Sequence, residues 1–168
     1  NISLATAPDT CGAFPTWTVT ATDVCSGVLT PVSPFQSGSF FPIGTTPVQF
    51  TATDGATNSS TCSFTVTVTE TIPPVILGCP DSLLLTLPPG ACDTVIFWDV
   101  PLATDNCALD SFTTNFGPGS SFPAGTTVVT YTALDVSGNT STCVFTITAI
   151  DQIAPVLGAC PPNVTIND

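Results

Sequence analysis

Cysteine and carboxylate side chains are the groups of this sequence whose chemistry could matter. The 168 residues include eight Cys and 12 Asp or Glu, but no Lys, Arg or His. Without His, the Ser–His and Cys–His catalytic pairs and imidazole zinc sites are excluded. Without a cationic side chain nothing neutralises phosphate, so we expect neither nucleic acid nor anionic lipid as a partner. An Asp pair of the glycosidase kind is the remaining catalytic option, but no motif places two Asp at a cleft, so we expect no enzyme.

The pattern of the eight cysteines favours disulfides over a metal site. No Cys-x-x-Cys pair occurs, and the surrounding sequence is rich in Pro and Thr. Disulfides persist in oxidising compartments, so we expect an extracellular or cell-surface protein; bound zinc is the alternative. Membrane insertion is not expected, because the longest nearly apolar stretch, residues 72–77, is far shorter than the roughly 20 residues that span a bilayer.

Most of the sequence occurs twice. Residues 41–46 (FPIGTT) return as residues 122–127 (FPAGTT), 81 positions later. The cysteines follow the same repeat: Cys11 corresponds to Cys92, Cys62 to Cys143 and Cys79 to Cys160 at an offset of 81, and Cys25 corresponds to Cys107 at 82. A third copy begins at Asn163, Val164, Thr165 and Ile166, which align with residues 1–4 at twice 81. We therefore predict a first repeat over residues 1–72, a second over 73–153, and the opening strand of a further unit over 154–168.

Alternation of apolar and polar residues predicts strands throughout both repeats. In residues 62–68 every second residue is apolar or Cys and the others are Ser or Thr, and residues 143–149 and 48–52 show the same period of two. Such a pattern indicates strands with one buried face. Gly, Pro and Asn punctuate the chain at short intervals and no window has a helical period. The sequence predicts an all-β fold with one small antiparallel β-sandwich in each repeat.

Six acidic residues recur at equivalent positions or at the connectors between repeats. They are Asp23, Asp54 and Glu70 in the first repeat and Asp105, Asp135 and Asp151 in the second. Calcium prefers several carboxylate and carbonyl oxygens, so these residues are candidate Ca²⁺ ligands. The alternative is that each Asp caps a turn through its own neighbouring backbone. No other cofactor is expected.

Two further residue pairs share a repeat position. Asn58 and Asn139 each stand in an Asn-x-Ser/Thr motif for N-glycosylation, and Asn1 and Asn163 fit the same pattern. Trp17 and Trp98 could form exposed surfaces for stacking sugars. One Trp per repeat on an early strand favours instead a core residue packed against a disulfide.

Several motifs of the second repeat lie in a fixed order. They are Cys79-Pro80, Cys92, Trp98, Thr104-Asp105-Asn106-Cys107, residues 122–127, Tyr131 to Asp135, Gly138-Asn139 and Cys143-Val144-Phe145. In type and order they resemble the hyalin repeat, or HYR domain. The resemblance implies two tandem immunoglobulin-like antiparallel β-sandwiches in an extracellular protein, often a long surface or adhesion protein.

The resemblance also implies a disulfide pairing. It suggests the bonds Cys79–Cys92, Cys25–Cys62 and Cys107–Cys143, which leaves Cys11 and Cys160 for bonds between units. In a tandem array, Cys160 would pair with a cysteine of the next unit of the same polypeptide. In separate subunits, residues 154–168, with the strand Asn163–Ile166, would complete the next copy, and Cys160 of one copy would bond Cys11 of another.

These expectations point to a structural role. We predict a repeat module of an extracellular filament or long surface adhesin, in which identical copies or neighbouring repeats follow head to tail. The alternative is a binding module whose partners are surface glycans or proteins. Because carboxylates repel one another and no cation is present to pair with them, we also expect stability to stay flat or rise as pH falls from about 7 to about 4.

Overall fold

Every regular element in residues 1–158, the part described by the computed structural model, is a β-strand. The strands of the first repeat are β1 (Ile2–Ala5), β2 (Gly12–Ala13), β3 (Ala21–Asp23), β4 (Gly27–Leu29), β5 (Phe41–Pro42), β6 (Gly44–Thr53) and β7 (Ser59–Thr69). Those of the second are β8 (Val75–Leu77), β9 (Leu83–Thr86), β10 (Asp93–Ile96), β11 (Leu102–Thr104), β12 (Leu109–Thr114), β13 (Ser120–Pro123), β14 (Gly125–Asp135) and β15 (Thr140–Ile150). The predicted all-β fold class is confirmed for these residues.

A long antiparallel hairpin organises the first repeat. β6 pairs with β7 from Gly44↔Val68 to Thr53↔Ser59, which includes the segments whose alternation predicted strands. The valines of this alternation, Val48, Val66 and Val68, are buried, and Phe50 and Phe64 are half-buried against them. The sheets are β1-β7-β6, β2-β5, β3-β4, β11-β8, β10-β13 and β12-β14-β15-β9.

The opening strand of each repeat runs parallel to the last strand. β1 pairs with β7 in the register Ile2↔Val66, and β9 pairs with β15 in the register Leu83↔Ile147. Both residues of the second pair lie 81 positions after those of the first. The sequence repeat is therefore also a repeat of strand pairing.

The chain forms two compact units whose limits differ from the predicted repeat boundaries. Unit 1 comprises Asn1–Leu77, Leu102–Thr113 and Thr132–Thr142, and unit 2 comprises Gly78–Pro101, Thr114–Tyr131 and the described residues from Cys143 onward. Three segments of the second repeat, residues 73–77, 102–113 and 132–142, thus pack in unit 1. Within residues 1–158 there is no helix long and apolar enough to cross a bilayer.

Each unit has an aromatic core that contains its Trp. In unit 1, the Trp17 ring lies 5.4 Å from Phe64 and 5.7 Å from Phe41. In unit 2, Trp98 packs edge-on against Phe145 at 5.5 Å, and its indole N–H donates to the Tyr131 hydroxyl at 2.9 Å. These contacts support the core interpretation of both Trp residues over sugar stacking.

Candidate functional site

A disulfide joins the first repeat to the second inside unit 1. Cys11 follows a tight turn after β1, in which Thr10 N–H donates to the Ala7 carbonyl at 3.2 Å. Cys107 lies in the loop after β11, where the Asp105 Oδ2 atom accepts the Cys107 N–H at 2.8 Å. The two residues are bonded with a Cα–Cα distance of 4.5 Å and a sequence separation of 96.

A buried carboxylate lies beside this disulfide. Glu70 follows the last residue of β7 and is only 5% exposed. Its Oε2 atom accepts hydrogen bonds from Thr6 Oγ1 and Asn106 Nδ2, each at 2.9 Å. Its Oε1 atom accepts the N–H of Ile72. We name Thr6, Cys11, Glu70, Asn106 and Cys107 the joint cluster.

Asn106 connects the segments that meet in the joint cluster. Its amide nitrogen contacts the Thr10 carbonyl at 3.3 Å and Thr6 Oγ1 at 3.4 Å, besides Glu70. β11 pairs antiparallel with β8, in the register Ala103↔Ile76, and so holds the loop of Asn106 next to the connector that follows Glu70. One side chain of the second repeat therefore bridges two segments of the first.

The Glu70 carboxylate is held in its charged form. Burial raises the pKa of Glu70, but hydrogen bonds from the Ile72 N–H, the Asn106 amide and the Thr6 hydroxyl outweigh it and keep the pKa below the ordinary value. A carboxylate whose lone pairs accept three donors is poorly placed to act as a base or to bind a metal. The joint cluster is therefore suited to fastening segments together.

The acidic turn residues cap turns, which is the alternative to calcium binding that the sequence predicts. Asp54 Oδ1 accepts the N–H groups of Ala56 and Asn58 at 2.9 and 2.8 Å, and Asp135 Oδ1 accepts those of Ser137 and Asn139 at 2.8 Å each. The same capping occurs at Asp23, Asp105 and Asp151, which accept the N–H groups of Cys25, Cys107 and Ile153. Each of the five Asp candidates for calcium binding thus caps its own turn.

Calcium binding stays a prediction. No group of three or more Cys or acidic side chains is arranged as a metal site within residues 1–158. The Oδ1 atoms of Asp105 and Asn106 are buried without a hydrogen-bond partner in that part of the chain. These two residues line a cavity of about 400 Å³ together with Asp9. If calcium binds in unit 1, these oxygens are the ligands that the structure offers.

The predicted disulfide pairing is wrong. Cys79 is bonded to Cys143, with a Cα–Cα distance of 5.7 Å, and not to Cys92. The reason is the parallel pairing of β9 with β15: Cys79 precedes Leu83 by four residues, as Cys143 precedes Ile147, so the strand register brings the two cysteines side by side.

Cys107 is likewise bonded to Cys11 and not to Cys143, so Cys11 is not available for the predicted bond to Cys160. Cys25 and Cys62, which were predicted to bond each other, are exposed free thiols, as is Cys92. Cys25 lies in the turn between β3 and β4, whereas Cys62 lies within β7. Cys160 and the strand Asn163–Ile166 lie outside the described residues.

The two glycosylation candidates occupy equivalent turns. The side-chain nitrogen of Asn58 donates to Asp54 Oδ2 at 3.0 Å, and that of Asn139 donates to Asp135 Oδ2 at 2.8 Å. A glycan would be attached to this nitrogen, so modification would replace a turn-stabilising contact. Glycosylation at Asn58 and Asn139 remains a prediction.

Comparison with known proteins identifies the family. The model of the HYR domain matches residues 2–68 and 69–149. The chain belongs to the HYR domain family. Relatives of this HYR chain include hyalin from Strongylocentrotus purpuratus, 39% identical over 86% of this chain and 12% of the relative, and hyalin from Lytechinus variegatus, 37% identical over 90% and 28%. The HYR chain thus spans about a quarter or less of either hyalin.

A relative that matches a shorter part of the chain and a solved structure were also found. A 114-residue part of the HYR chain is 37% identical to the sushi, von Willebrand factor type A, EGF and pentraxin domain-containing protein 1 of Rattus norvegicus, over 65% of this chain and 3% of that protein. The structure of protocadherin gamma C5 EC1-3 aligns with 88% of the HYR chain and 64% of its own, at 17% identity and a TM-score of 0.32.

Sequence reasoning missed Thr6 and Asn106 as functional residues of the HYR chain. A signal was present: Asn106 corresponds to Val24, and Thr6 corresponds to Leu87, so both positions change between the repeats. In the structure Asn106 and Thr6 both contact Glu70. A change at two positions that contact the same residue indicates a contact specific to this joint.

Acid is expected to destabilise the HYR chain. The pKa values of Asp23, Asp54, Glu70 and Asp135 are lowered from ordinary values of 3.8 for Asp and 4.5 for Glu. The folded state then binds fewer protons than the unfolded one, so the stabilisation is complete above these ordinary values and is lost as pH falls through the lowered ones. Urea midpoints should be flat between about pH 7 and pH 5 and should fall below about pH 4.5.

This expectation reverses the one drawn from net charge, because the pKa values of these four groups are lowered, although carboxylates that only repelled one another would have raised pKa values. For Asp54 the largest lowering contribution is the hydrogen bond from the Asn58 side chain. For Asp135, burial raises the pKa, but bonds from the side chain and N–H of Asn139 outweigh it. Asp135→Asn should weaken the acid dependence, whereas Asp110→Asn, at an exposed position of β12, should not. A midpoint that rises below pH 4.5 would contradict the argument.

Proposed function

We propose that this chain is a structural module of an extracellular filament or long surface adhesin, in which repeats or copies follow head to tail. The observation that carries the proposal is the Cys11–Cys107 disulfide, which fastens the first repeat to the second across 96 residues. A covalent bond and a buried carboxylate network at the junction of successive repeats are features of a chain built to keep its repeats in register.

The chemistry of the chain supports an oxidising location and a non-catalytic role. Two disulfides form within residues 1–158, and such bonds persist outside the reducing cytosol. Five of the acidic residues that could have served chemistry cap turns, and Glu70 is saturated by donors. The absence of Lys and Arg leaves no cleavage site for trypsin-like proteases, which suits a long-lived extracellular material.

Electron microscopy of native material, isolated without reductant, tests the proposal. We expect long fibres of uniform width, and we expect thiol reduction to shorten them. Separate particles of the size of one chain, together with binding on a glycan or protein array, would overturn the structural role and favour the binding module. A groove of about 370 Å³ in unit 1, lined by Phe50, Asp54 and Cys62 among others, is where such a ligand would be sought.

A further inference from the structure

The two disulfides of the chain define a rule that can be applied one repeat further. One bond stays within a repeat (Cys79–Cys143), and the other joins a cysteine of one repeat to a later cysteine of the next (Cys11–Cys107). By the offsets of 81 and 82, Cys92 is the counterpart of Cys11, and Cys25 is the counterpart of Cys107. Under this rule Cys92 needs a Cys25-type partner in a following repeat, and Cys25 needs a Cys92-type partner in a preceding one. Both are exposed free thiols.

The loop that carries Cys92 already has the local geometry of the bonded Cys11 loop. Ala91 N–H donates to the Pro88 carbonyl at 3.0 Å, as Thr10 N–H does to the Ala7 carbonyl at 3.2 Å. The residue after each cysteine then enters a strand in equivalent register, Asp93↔Pro123 in one repeat and Gly12↔Pro42 in the other. Cys92 therefore has the same local backbone geometry as Cys11, but within residues 1–158 it is a free thiol.

The turn that carries Cys25 matches the bonded Cys107 loop in the same way. Asp23 Oδ1 accepts the N–H of Cys25 at 2.9 Å, and Asp105 Oδ2 accepts the N–H of Cys107 at 2.8 Å. Both halves of a second inter-repeat disulfide are thus preformed on this chain.

The neighbouring side chains indicate that the partner is another copy of this chain. Between the cysteine and the capping Asp, the second repeat has Asn106, which bonds to Thr6 and Glu70. The first repeat has Val24 there, and this side chain is fully exposed. The residues that a following Val24 would approach are Leu87, the counterpart of Thr6 and itself only 6% exposed, and Asp151, the exposed counterpart of Glu70. An apolar pair would then replace the polar pair, which matches the first repeat of one copy to the second repeat of another.

We propose that Cys92 of one copy forms a disulfide with Cys25 of the next, so that copies are linked head to tail; this rests on the proposed function. The oxidant is a small-molecule disulfide such as oxidised glutathione. Its S–S bond breaks, the two protein thiols lose their protons and two electrons, the Cys92–Cys25 bond forms, and two molecules of reduced glutathione leave. Cys62, the exposed counterpart of Cys143, needs by the same rule a partner of the Cys79 type.

Selective pairing of two single-thiol variants tests the proposal. Both variants are made in the full chain and carry Cys62→Ser and Cys160→Ser. The first also carries Cys25→Ser, so that Cys92 is its free thiol. The second also carries Cys92→Ser, so that Cys25 is its free thiol. One variant is ¹⁵N-labelled, the two are mixed in a glutathione redox buffer, and dimers are weighed by mass spectrometry without reduction. We expect mixed dimers to exceed each homodimer by at least roughly tenfold. Dimers in the proportions of random pairing, or no dimer at all, would overturn the proposal.

Peptide mapping is the control for folding, since Cys11–Cys107 and Cys79–Cys143 must be intact in each variant. A second arm changes the side chains beside the thiols. Val24→Asp on the Cys25 partner should reduce the yield of mixed dimer by roughly tenfold, because its carboxylate would face the apolar Leu87 and the carboxylate of Asp151, the counterpart of Glu70. A yield that Val24→Asp leaves unchanged would show that Val24 does not meet these side chains.

The two tests fail separately. Fibres in native material without selective pairing of Cys25 with Cys92 would remove this linkage and leave the structural role. If Cys25 and Cys92 pair selectively but the native material stays as single particles, the structural role is contradicted and the linkage is retained.

Discussion

Replacement of Cys107 by Ser is expected to lower the free energy of unfolding by about 3 to 5 kcal/mol. The Cys11–Cys107 bond closes a loop with a sequence separation of 96, and a cross-link of that length strongly restricts the unfolded chain. Urea denaturation measures the effect. The background should carry Ser at Cys25, Cys62, Cys92 and Cys160, so that no free thiol exchanges with the one left at Cys11.

The same experiment distinguishes the observed pairing from the one that family resemblance implied. Cys11→Ser should match Cys107→Ser, and the double variant should cost no more than either alone. Cys143→Ser should act independently, since its partner is Cys79. The matched control is Cys92→Ser in the natural sequence. Because Cys92 is an exposed free thiol, this replacement should change the free energy of unfolding by less than about 0.5 kcal/mol. Loss of additivity between the Cys107 and Cys143 variants would contradict this assignment.

Glu70→Ala should be the most damaging substitution in the joint cluster outside the disulfide, at about 2 to 4 kcal/mol. Three donors, the Thr6 hydroxyl, the Asn106 amide and the Ile72 N–H, lose their acceptor together. A buried donor left without an acceptor loses the free energy of its hydration without compensation. Glu70→Gln should cost less, because one oxygen remains to accept.

Asp151→Ala is the matched control for Glu70. Asp151 is the repeat counterpart of Glu70, but it is exposed and accepts only a local bond from the Ile153 N–H. Its replacement should cost less than about 1 kcal/mol, measured by the same urea titration. Equal losses at Glu70 and Asp151 would mean that the buried network does not stabilise the junction.

The strands were predictable because their signal is local. Alternation along residues 48–52, 62–68 and 143–149 follows from which face of a strand is buried, and β6, β7 and β15 contain these segments. The offset of 81 also predicted which residues are equivalent. It reappears in the parallel registers Ile2↔Val66 and Leu83↔Ile147.

The disulfide partners were not predictable in the same way. The offset of 81 shows that Cys79 and Cys160 occupy equivalent positions in successive repeats. It does not show which positions are joined to each other by disulfides. That depends on the parallel alignment of β9 with β15 and on the position of the Cys107 loop next to Cys11, and both are tertiary relations. The acid response was mispredicted for a related reason. Net charge counts carboxylates, whereas their pKa values depend on the N–H groups that surround each one, as at Asp54.

The Cys11–Cys107 bond also determines which part of the backbone can bear tension. When the chain is pulled from both ends, force passes from residue 11 directly to residue 107 through the sulfur atoms, and the intervening backbone is bypassed. The bypassed loop has a sequence separation of 96, which at about 3.4 Å per residue is roughly 330 Å of slack that stretching cannot release. Extension of the chain is therefore limited by a covalent bond, and strands β2 to β7, which lie between the two cysteines, can remain folded under strain that would otherwise draw them out.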